Sequence, residues 1–177
     1  MAIQVSGTEV ISNARNISNV GTVTATSFIG SGASLTNLPA GGKVLQVVQA
    51  QSSTQYNYNG DYTWYQSANY TVSITPSSAT SKILIMVQGG RVELSANIEV
   101  STTIYRNNSV NLFGSLGGGG HRALGSGFAG PCSMVKLDSP STTSATSYTL
   151  WNKGWPSSYY GIGSSTYMTL TAMEIAV

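Results

Sequence analysis

The sequence has little charge. Eight basic and six acidic residues make up 8% of its 177 residues, against roughly 25% in an ordinary soluble chain. The basic residues are scattered, so no cluster of positive charge is present that would bind a phosphate backbone or an anionic lipid surface. We therefore expect no nucleic-acid partner, and we expect hydroxyl and amide groups to keep the protein in solution.

Cysteine and histidine occur once each, as Cys132 and His121. A single cysteine excludes an intrachain disulfide, a zinc knuckle and a dithiol redox site within one chain, and we expect Cys132 to be a small buried hydrophobe. His121 lies beside four glycines, a poor setting for a catalytic base in a fixed tautomer. A metal bound by three copies of His121 on a symmetry axis is an alternative, but the favoured prediction has neither metal nor cofactor.

Long hydrophobic runs are also missing. The longest purely apolar run covers residues 83–87, far short of the roughly 20 residues that span a bilayer. The first residues lack the basic and apolar regions of a secretory signal. We expect neither standard export nor membrane insertion.

The chain does have enough apolar residues to fold. Hydrophobic residues make up 41% of the sequence and include ten tyrosines and three tryptophans. This content excludes a disordered chain. Its length suits one domain with an appendage. A proline followed by glycines at residues 39–42 predicts a hinge. We place an extended N-terminal arm at residues 1–42 and a head domain at residues 43–177.

The head domain predicts an all-β fold, because alternating or β-branched runs are separated by Gly, Pro, Asn and Ser. Adjacent asparagines at 107 and 108 predict a tight hairpin. The apolar run 83–87 predicts a strand covered on one face by an opposite sheet and on the other by a neighbouring chain or loop. The strands, which suit a two-sheet β-sandwich, are predicted near residues 43–52, 62–65, 70–74, 82–88, 98–106, 109–113, 133–137, 147–151 and 167–175.

The arm holds isolated apolar residues among Ser, Thr, Asn and Gly, too few to form a core alone. We expect it to associate with other copies of the chain or to dock on another protein. The residues predicted to make these contacts are Ile11, Ile17, Val20, Val23, Phe28, Leu35 and Leu38.

A polysaccharide-cleaving enzyme would need a pair of carboxylates, and the candidates are Asp61, Glu93, Glu99 and Asp138. Glu93 is close enough to Arg91 for the two charges to compensate each other, and Asp138 precedes Ser-Pro and resembles a turn former. We therefore expect no enzymatic activity and keep a surface-polysaccharide depolymerase as a minor alternative.

Aromatic residues cluster in two polar stretches, 56–65 and 151–160. Tyrosine and tryptophan expose an apolar body with a polar tip, which suits contact with carbohydrate or protein, although they also complete cores and subunit interfaces. The stretch 114–131 is predicted to be a long irregular loop, which in a compact domain is usually functional or mobile. The candidate host or glycan contacts are Tyr58, Trp64, Tyr65, His121, Arg122, Trp155, Tyr159 and Tyr160.

Several segments resemble proteins of tailed bacteriophages. Residues 10–21 (VISNARNISNVG) and 26–39 (TSFIGSGASLTNLP) are similar to the shaft and collar segments of phage fibres, with their pattern Phe-x-Gly-x-Gly-x-x-Leu-Thr-x-Leu. The head resembles the C-terminal knobs of tail-fibre-like proteins through residues 42–49 (GKVLQVVQ), 74–84 (ITPSSATSKIL), 103–106 (TIYR), 137–140 (LDSP) and 170–176 (LTAMEIA).

The resemblance implies a homotrimer with a jelly-roll-like head of the tumour-necrosis-factor or C1q kind, located on the virion surface. Its expected function is that of a short tail fibre whose arm docks on tail, baseplate or capsid proteins and whose head attaches to a host-surface glycan. The arm is short and lacks a recognisable adaptor domain, so a homotrimeric capsid decoration or cement protein is the alternative.

Overall fold

The structure is a computed structural model that describes residues 3–5, 8–11, 22, 24, 43–95, 98–122, 127–156, 159–163 and 166–177. The chain divides into two compact units, Met1–Leu38 and Pro39–Val177. In the first unit, strands β1 (Ile3–Val5) and β2 (Thr8–Ile11) form an antiparallel pair. Of the predicted arm contacts, Ile11 ends β2, whereas the others lie outside the described residues: Ile17, Val20, Val23, Phe28, Leu35 and Leu38.

The second unit is built from strands, as the sequence predicts. No helix occurs among the residues that the structure describes, and so none there is long and apolar enough to cross a bilayer. The strands are β3 (Val44–Ser52), β4 (Tyr56–Asn59), β5 (Tyr65–Ile74), β6 (Lys82–Leu94), β7 (Glu99–Arg106), β8 (Val110–Asn111), β9 (Gly119–Arg122), β10 (Phe128–Asp138), β11 (Thr146–Gly154), β12 (Tyr159–Ile162) and β13 (Met168–Ile175).

These strands form the two antiparallel sheets of a β-sandwich. The six-stranded sheet has the order β3-β13-β6-β12-β4, with β10 on the other side of β6, and the five-stranded sheet has the order β5-β11-β7-β8, with β9 also paired to β7. The sheets bury the apolar side chains that alternate along their strands, among them Ile83, Ile85 and Leu170 from one sheet and Ile104 and Leu150 from the other. The sandwich predicted for the head is therefore present.

The longest strand, β6, changes partner midway. Its first part pairs with β13 and its last three residues pair with β12. Gly89 and Gly90 at the transition have φ angles of 82° and 63°, values that glycine adopts without strain. A Cβ on Gly89 would lie 2.8 Å from the backbone oxygen of Tyr167. These two glycines let β6 pair with β13 in its first part and with β12 in its last.

The apolar run on β6 alternates as a sandwich strand does. Ile83, Ile85 and Val87 are fully buried and face the other sheet, which confirms the predicted cover on that side. Leu84 and Met86 point the other way and are half-buried. We call the side of the six-stranded sheet that carries them the outer face.

The register places further apolar residues beside Leu84 and Met86 on the outer face. Leu84 lies opposite Met173 and Leu137, and Met173 in turn lies opposite Val47. Val47, Leu137 and the neighbouring Val135 are exposed by 54%, 52% and 56%. The part of the outer face formed by β3, β13, β6 and β10 around Leu84 is therefore an apolar surface.

Two ends of the head can be distinguished by the course of the chain. We call one end proximal: there β3 begins at Val44, β6 begins at Lys82 and β13 ends at Ile175. These three residues lie side by side, because Ile175 is opposite both Val44 and Lys82. The distal end is where β6 and β11 end and β7 begins. The 13 residues of β6 separate the two by roughly 40 Å along the strand.

A buried ion pair ties the two sheets together at the proximal end. Asp138 ends β10 and is 8% exposed. Arg106, at the end of β7, donates from Nη1 to both of its carboxylate oxygens at 2.9 Å. The Tyr148 hydroxyl on β11 donates to Oδ2 of Asp138 at 2.8 Å. The interpretation of Asp138 as a turn former is therefore wrong, because its carboxylate neutralises an arginine brought from the other sheet.

A second buried carboxylate, Glu174 on β13, holds the loop between β5 and β6. It accepts hydrogen bonds from the backbone N and hydroxyl of Ser77, both at 2.7 Å, and from Gln46 Nε2 at 2.6 Å. Burial by itself raises the pKa of this carboxyl, but hydrogen bonds from Ser77, Gln46 and Ser81 outweigh burial and lower the pKa to about 2. The ionised form is thus the one that the fold stabilises.

Glu174→Gln is expected to lower stability at neutral pH and to weaken its pH dependence. Because the pKa is depressed on folding, Glu174 stabilises the fold above its ordinary pKa of 4.5, and this contribution is lost as the pH falls toward about 2. Urea unfolding at about pH 7 and about pH 3 measures both effects. Equal loss of stability on acidification in wild type and variant would contradict this role of Glu174.

The predicted strands match the observed ones least well near the distal end. The strand predicted at 62–65 is not found there, because residues 62–64 lie outside any strand and β5 starts at Tyr65. Strands β4, β9 and β12 were not predicted. The proposed loop 114–131 is interrupted by β9 and by the start of β10. Glycine allows β9 to lie against β7, because a Cβ at Gly119 would lie 2.6 Å from Thr102 Oγ1.

Candidate ligand-binding site at the distal end

Two exposed aromatic rings pack against each other at the distal end, tilted by 59°. Tyr62 and Trp155 are 54% and 50% exposed, and their ring centroids are 5.4 Å apart. Trp155 directly follows β11, and the backbone N of Tyr62 donates to the oxygen of Gly154 at 3.0 Å. The pair therefore presents a large aromatic surface that solvent reaches.

Tyr62 has a backbone conformation that favours glycine. Its φ angle is 65°, a region that costs a bulky residue about 1–3 kcal/mol. Asp61 fixes the turn, since its carboxylate accepts from Thr63 N at 2.9 Å and from the Tyr65 hydroxyl at 2.6 Å. These hydrogen bonds, from Tyr65 first and Thr63 second, lower the pKa of Asp61. Such strain at an exposed aromatic residue is typical of functional sites.

A small cavity of about 180 Å³ adjoins this aromatic pair and is lined by Ile98, Glu99, Arg122 and Trp155. Glu99 and Arg122 are cross-strand neighbours on β7 and β9, and the backbone N of Trp155 donates to the oxygen of Glu99 at 3.2 Å. The cavity is smaller than the ~300 Å³ of a typical enclosed ligand pocket. We call these four residues together with Tyr62 the distal site.

The distal site has both apolar and polar groups, which suits a ligand that is polar but has apolar faces. The indole and phenol rings supply flat apolar surface, Glu99 supplies hydrogen-bond acceptors, and the guanidinium of Arg122 supplies donors. Two predicted contacts, Arg122 and Trp155, meet here. Tyr62 was not predicted as a contact, although its position in the aromatic stretch 56–65 could have indicated one.

Three other predicted contacts support the distal end from nearby. Tyr58 stacks on Tyr65 with centroids 5.5 Å apart, and its hydroxyl donates to the backbone oxygen of Gln66 at 3.0 Å. Burial is the main cause of the raised pKa of Tyr58. Lys153 Nζ lies 4.7 Å from the centre of the Trp64 ring, a cation–π contact. These residues are half-buried and tied to the fold.

The remaining predicted contacts have different outcomes. Tyr160 is fully buried, packs 5.3 Å from Tyr58 and belongs to the core, so its assignment as a surface contact is wrong. His121 is half-buried on β9, and burial lowers its pKa, which favours the neutral imidazole. The side chain of Tyr159 lies outside the described part of the structure.

Several polar residues considered for catalysis have structural partners. Glu93 forms the expected ion pair with Arg91, with 2.9 Å between Oε1 and Nη2. Asp61 and Asp138 accept the hydrogen bonds described above. Cys132 is fully buried, as predicted, and burial raises the pKa of its thiol to about 11.

No protein-family model matches this chain, and no curated protein matches it significantly.

Proposed function

We propose that this chain is a non-enzymatic structural protein of a phage particle, a homotrimeric short tail fibre whose jelly-roll-like head binds a host-surface glycan. The N-terminal arm docks on other virion proteins in this proposal. The observation that carries it is the location of the distal site, since its exposed aromatic and charged groups lie at the end of the head opposite the point where the chain enters.

The position of the distal site supports attachment for a simple geometric reason. Val44, where β3 begins, and Glu99, where β7 begins, belong to opposite ends of the sandwich. A head joined to a particle through residue 43 thus has its distal end free to meet another surface. Buried carboxylates hold the proximal end, whereas exposed aromatic rings occupy the distal end.

The outer face supports the trimer. Its apolar rows carry Val47, Met173, Leu84, Met86 and Leu137, none of which is charged. Four strands and the three residues from Leu84 to Met86 span a plane of roughly 200 Å², the apolar centre of an interface that takes ~800 Å² from each partner. Burial of these apolar rows, which lie in the proximal half of the outer face, against further copies of the chain removes them from water and leaves the distal half of that face open.

The glycan-binding role is tested with Trp155→Ala on an array of bacterial lipopolysaccharides and capsular polysaccharides. Loss of the indole is expected to reduce the affinity for the glycan at least tenfold, which corresponds to about 1.4 kcal/mol of binding free energy or more. Tyr167→Ala is the matched control, because Tyr167 is 63% exposed and does not line the distal site.

The results of this experiment separate attachment from decoration. Binding by wild type and by Tyr167→Ala, with loss in Trp155→Ala, supports attachment through the distal site. If wild type binds no glycan, or if Trp155→Ala binds as wild type does, attachment through this site is contradicted and a decoration role is favoured.

A further inference from the structure

A second cavity lies on the outer face of the six-stranded sheet, toward its distal end. Its volume is about 400 Å³, and its lining includes Arg91, Glu93, Gly127, Ala129 and Gly161. This volume falls within the range of ligand pockets, ~300–1,000 Å³. We call it the Glu93 cleft.

Small residues on the neighbouring strands make the cleft. Gly161 on β12 lies opposite both Glu93 on β6 and Asn57 on β4, and Ala129 on β10 lies opposite Glu93 on its other side. Residues in such a row project from the same face of a sheet. Glu93 is therefore flanked by a glycine and an alanine, the two smallest residues.

Polar groups from β4, from the residue before it and from β6 converge above Gly161. A Cβ at this glycine would lie 3.1 Å from Asn57 Oδ1, 3.3 Å from Gln55 Nε2 and 3.6 Å from Glu93 Oε2. Gln55 Nε2 donates to Asn57 Oδ1 at 3.0 Å, and Arg91 holds the other oxygen of Glu93 at 2.9 Å. The cleft thus offers acceptors and donors within a few ångströms of each other.

We propose that the Glu93 cleft binds a neutral sugar unit through neighbouring hydroxyl groups, in addition to the distal site. One hydroxyl donates to Glu93 Oε2 and another to Asn57 Oδ1, while Arg91 and Gln55 donate to hydroxyl oxygens. The sugar ring lies beside Glu93 against Gly127 and Ala129, with Gly161 at its edge. The proposal rests on the proposed function, since it names a class of ligand for the same head.

Charge favours a neutral ligand over an anionic one. Arg91 is paired with Glu93, so the pair has no net charge to attract an anion. Hydroxyl groups both donate and accept, which matches a mixture of carboxylate, amide and guanidinium groups. Hydrogen bonds to the charged members are the stronger ones.

The test follows backbone amide signals of the isotope-labelled full chain by NMR during titration with galactose, glucose, mannose and N-acetylglucosamine. At least one sugar is expected to shift the amides of Gly127, Ala129 and Gly161. Glu93→Gln is expected to weaken this binding about tenfold or more, because the hydroxyl would then donate to a neutral amide oxygen in place of a charged carboxylate. Gly161→Val is also expected to weaken it, because the added side chain would occupy the cleft and crowd Asn57 Oδ1 and Gln55 Nε2.

Glu99→Gln is the matched control, because it removes a carboxylate from the distal site and leaves the Glu93 cleft unchanged. If no sugar shifts the cleft amides while glycan binding through Trp155 persists, the cleft proposal is overturned and the proposed function stands. If neither glycans on the array nor the sugars bind, both fail. Cleft shifts that persist undiminished in both Glu93→Gln and Gly161→Val also overturn the proposal.

Discussion

Replacing Asp138 by alanine is expected to lower the free energy of unfolding by about 3–5 kcal/mol, the range for breaking a buried ion pair by removing one partner. The guanidinium of Arg106 would remain, 22% exposed, without its carboxylate. The Tyr148 hydroxyl would lose the acceptor that lies at 2.8 Å. A total stability of about 5–15 kcal/mol is usual for a domain, so this single change would remove a large part of it.

Two further variants separate the contributions at this position. Asp138→Asn keeps the shape and removes the charge, and we expect most of the loss to remain. Tyr148→Phe removes only the hydroxyl and is expected to lower stability by about 0.5–1.5 kcal/mol. Urea unfolding of the three variants gives these values. A loss below about 1 kcal/mol in Asp138→Ala would show that the ion pair does not hold the sheets together.

Replacing Leu84 by glutamate is expected to dissociate the proposed trimer into single chains. Leu84 lies in the apolar row of the outer face, between Met173 and Leu137. Every copy would then bring an unpaired carboxylate into a buried interface, which desolvation and repulsion between like charges oppose. Because Leu84 is half-buried on the outer face and points away from the core, the head is expected to stay folded.

Sedimentation equilibrium measures this effect, with the wild type expected at three times the chain mass of 18.5 kDa and the variant at 18.5 kDa. Ser73→Glu is the control, because Ser73 is an exposed residue of β5 in the other sheet, and it is expected to leave the trimer intact. A wild type that sediments as a single chain or a pair, or a Leu84→Glu variant that stays trimeric, would contradict association through this face.

The features of the fold that the sequence predicted well depend on local patterns. The asparagines at 107 and 108 have φ angles of 49° and 54° and join β7 to β8, because asparagine tolerates this conformation wherever it occurs. The run 83–87 alternates between buried and half-buried residues as a two-sheet fold requires. Cys132 is buried because it is small and apolar.

The candidate site was predicted only in part, because composition does not show which way a side chain points. Tyr160 and Trp155 lie in one aromatic stretch, yet the register of β12 places Tyr160 in the core, whereas Trp155 follows the end of β11 and is exposed. Tyr62 is exposed because it lies in a turn that is stabilised by hydrogen bonds to the Asp61 carboxylate and to the backbone oxygen of Gly154. The cross-strand neighbours of Gly161 cannot be known before strand pairing is known.

Sequence by itself therefore determined the all-β class, the alternation of the central strand and the hairpin, since each follows from the preferences of neighbouring residues. Tertiary structure alone decided the pairing of Asp138 with Arg106, the glycine-rich strand β9 and the two cavities at the distal end. The physical reason is that these features join residues far apart in the chain, whose meeting depends on which strands pair and in which register.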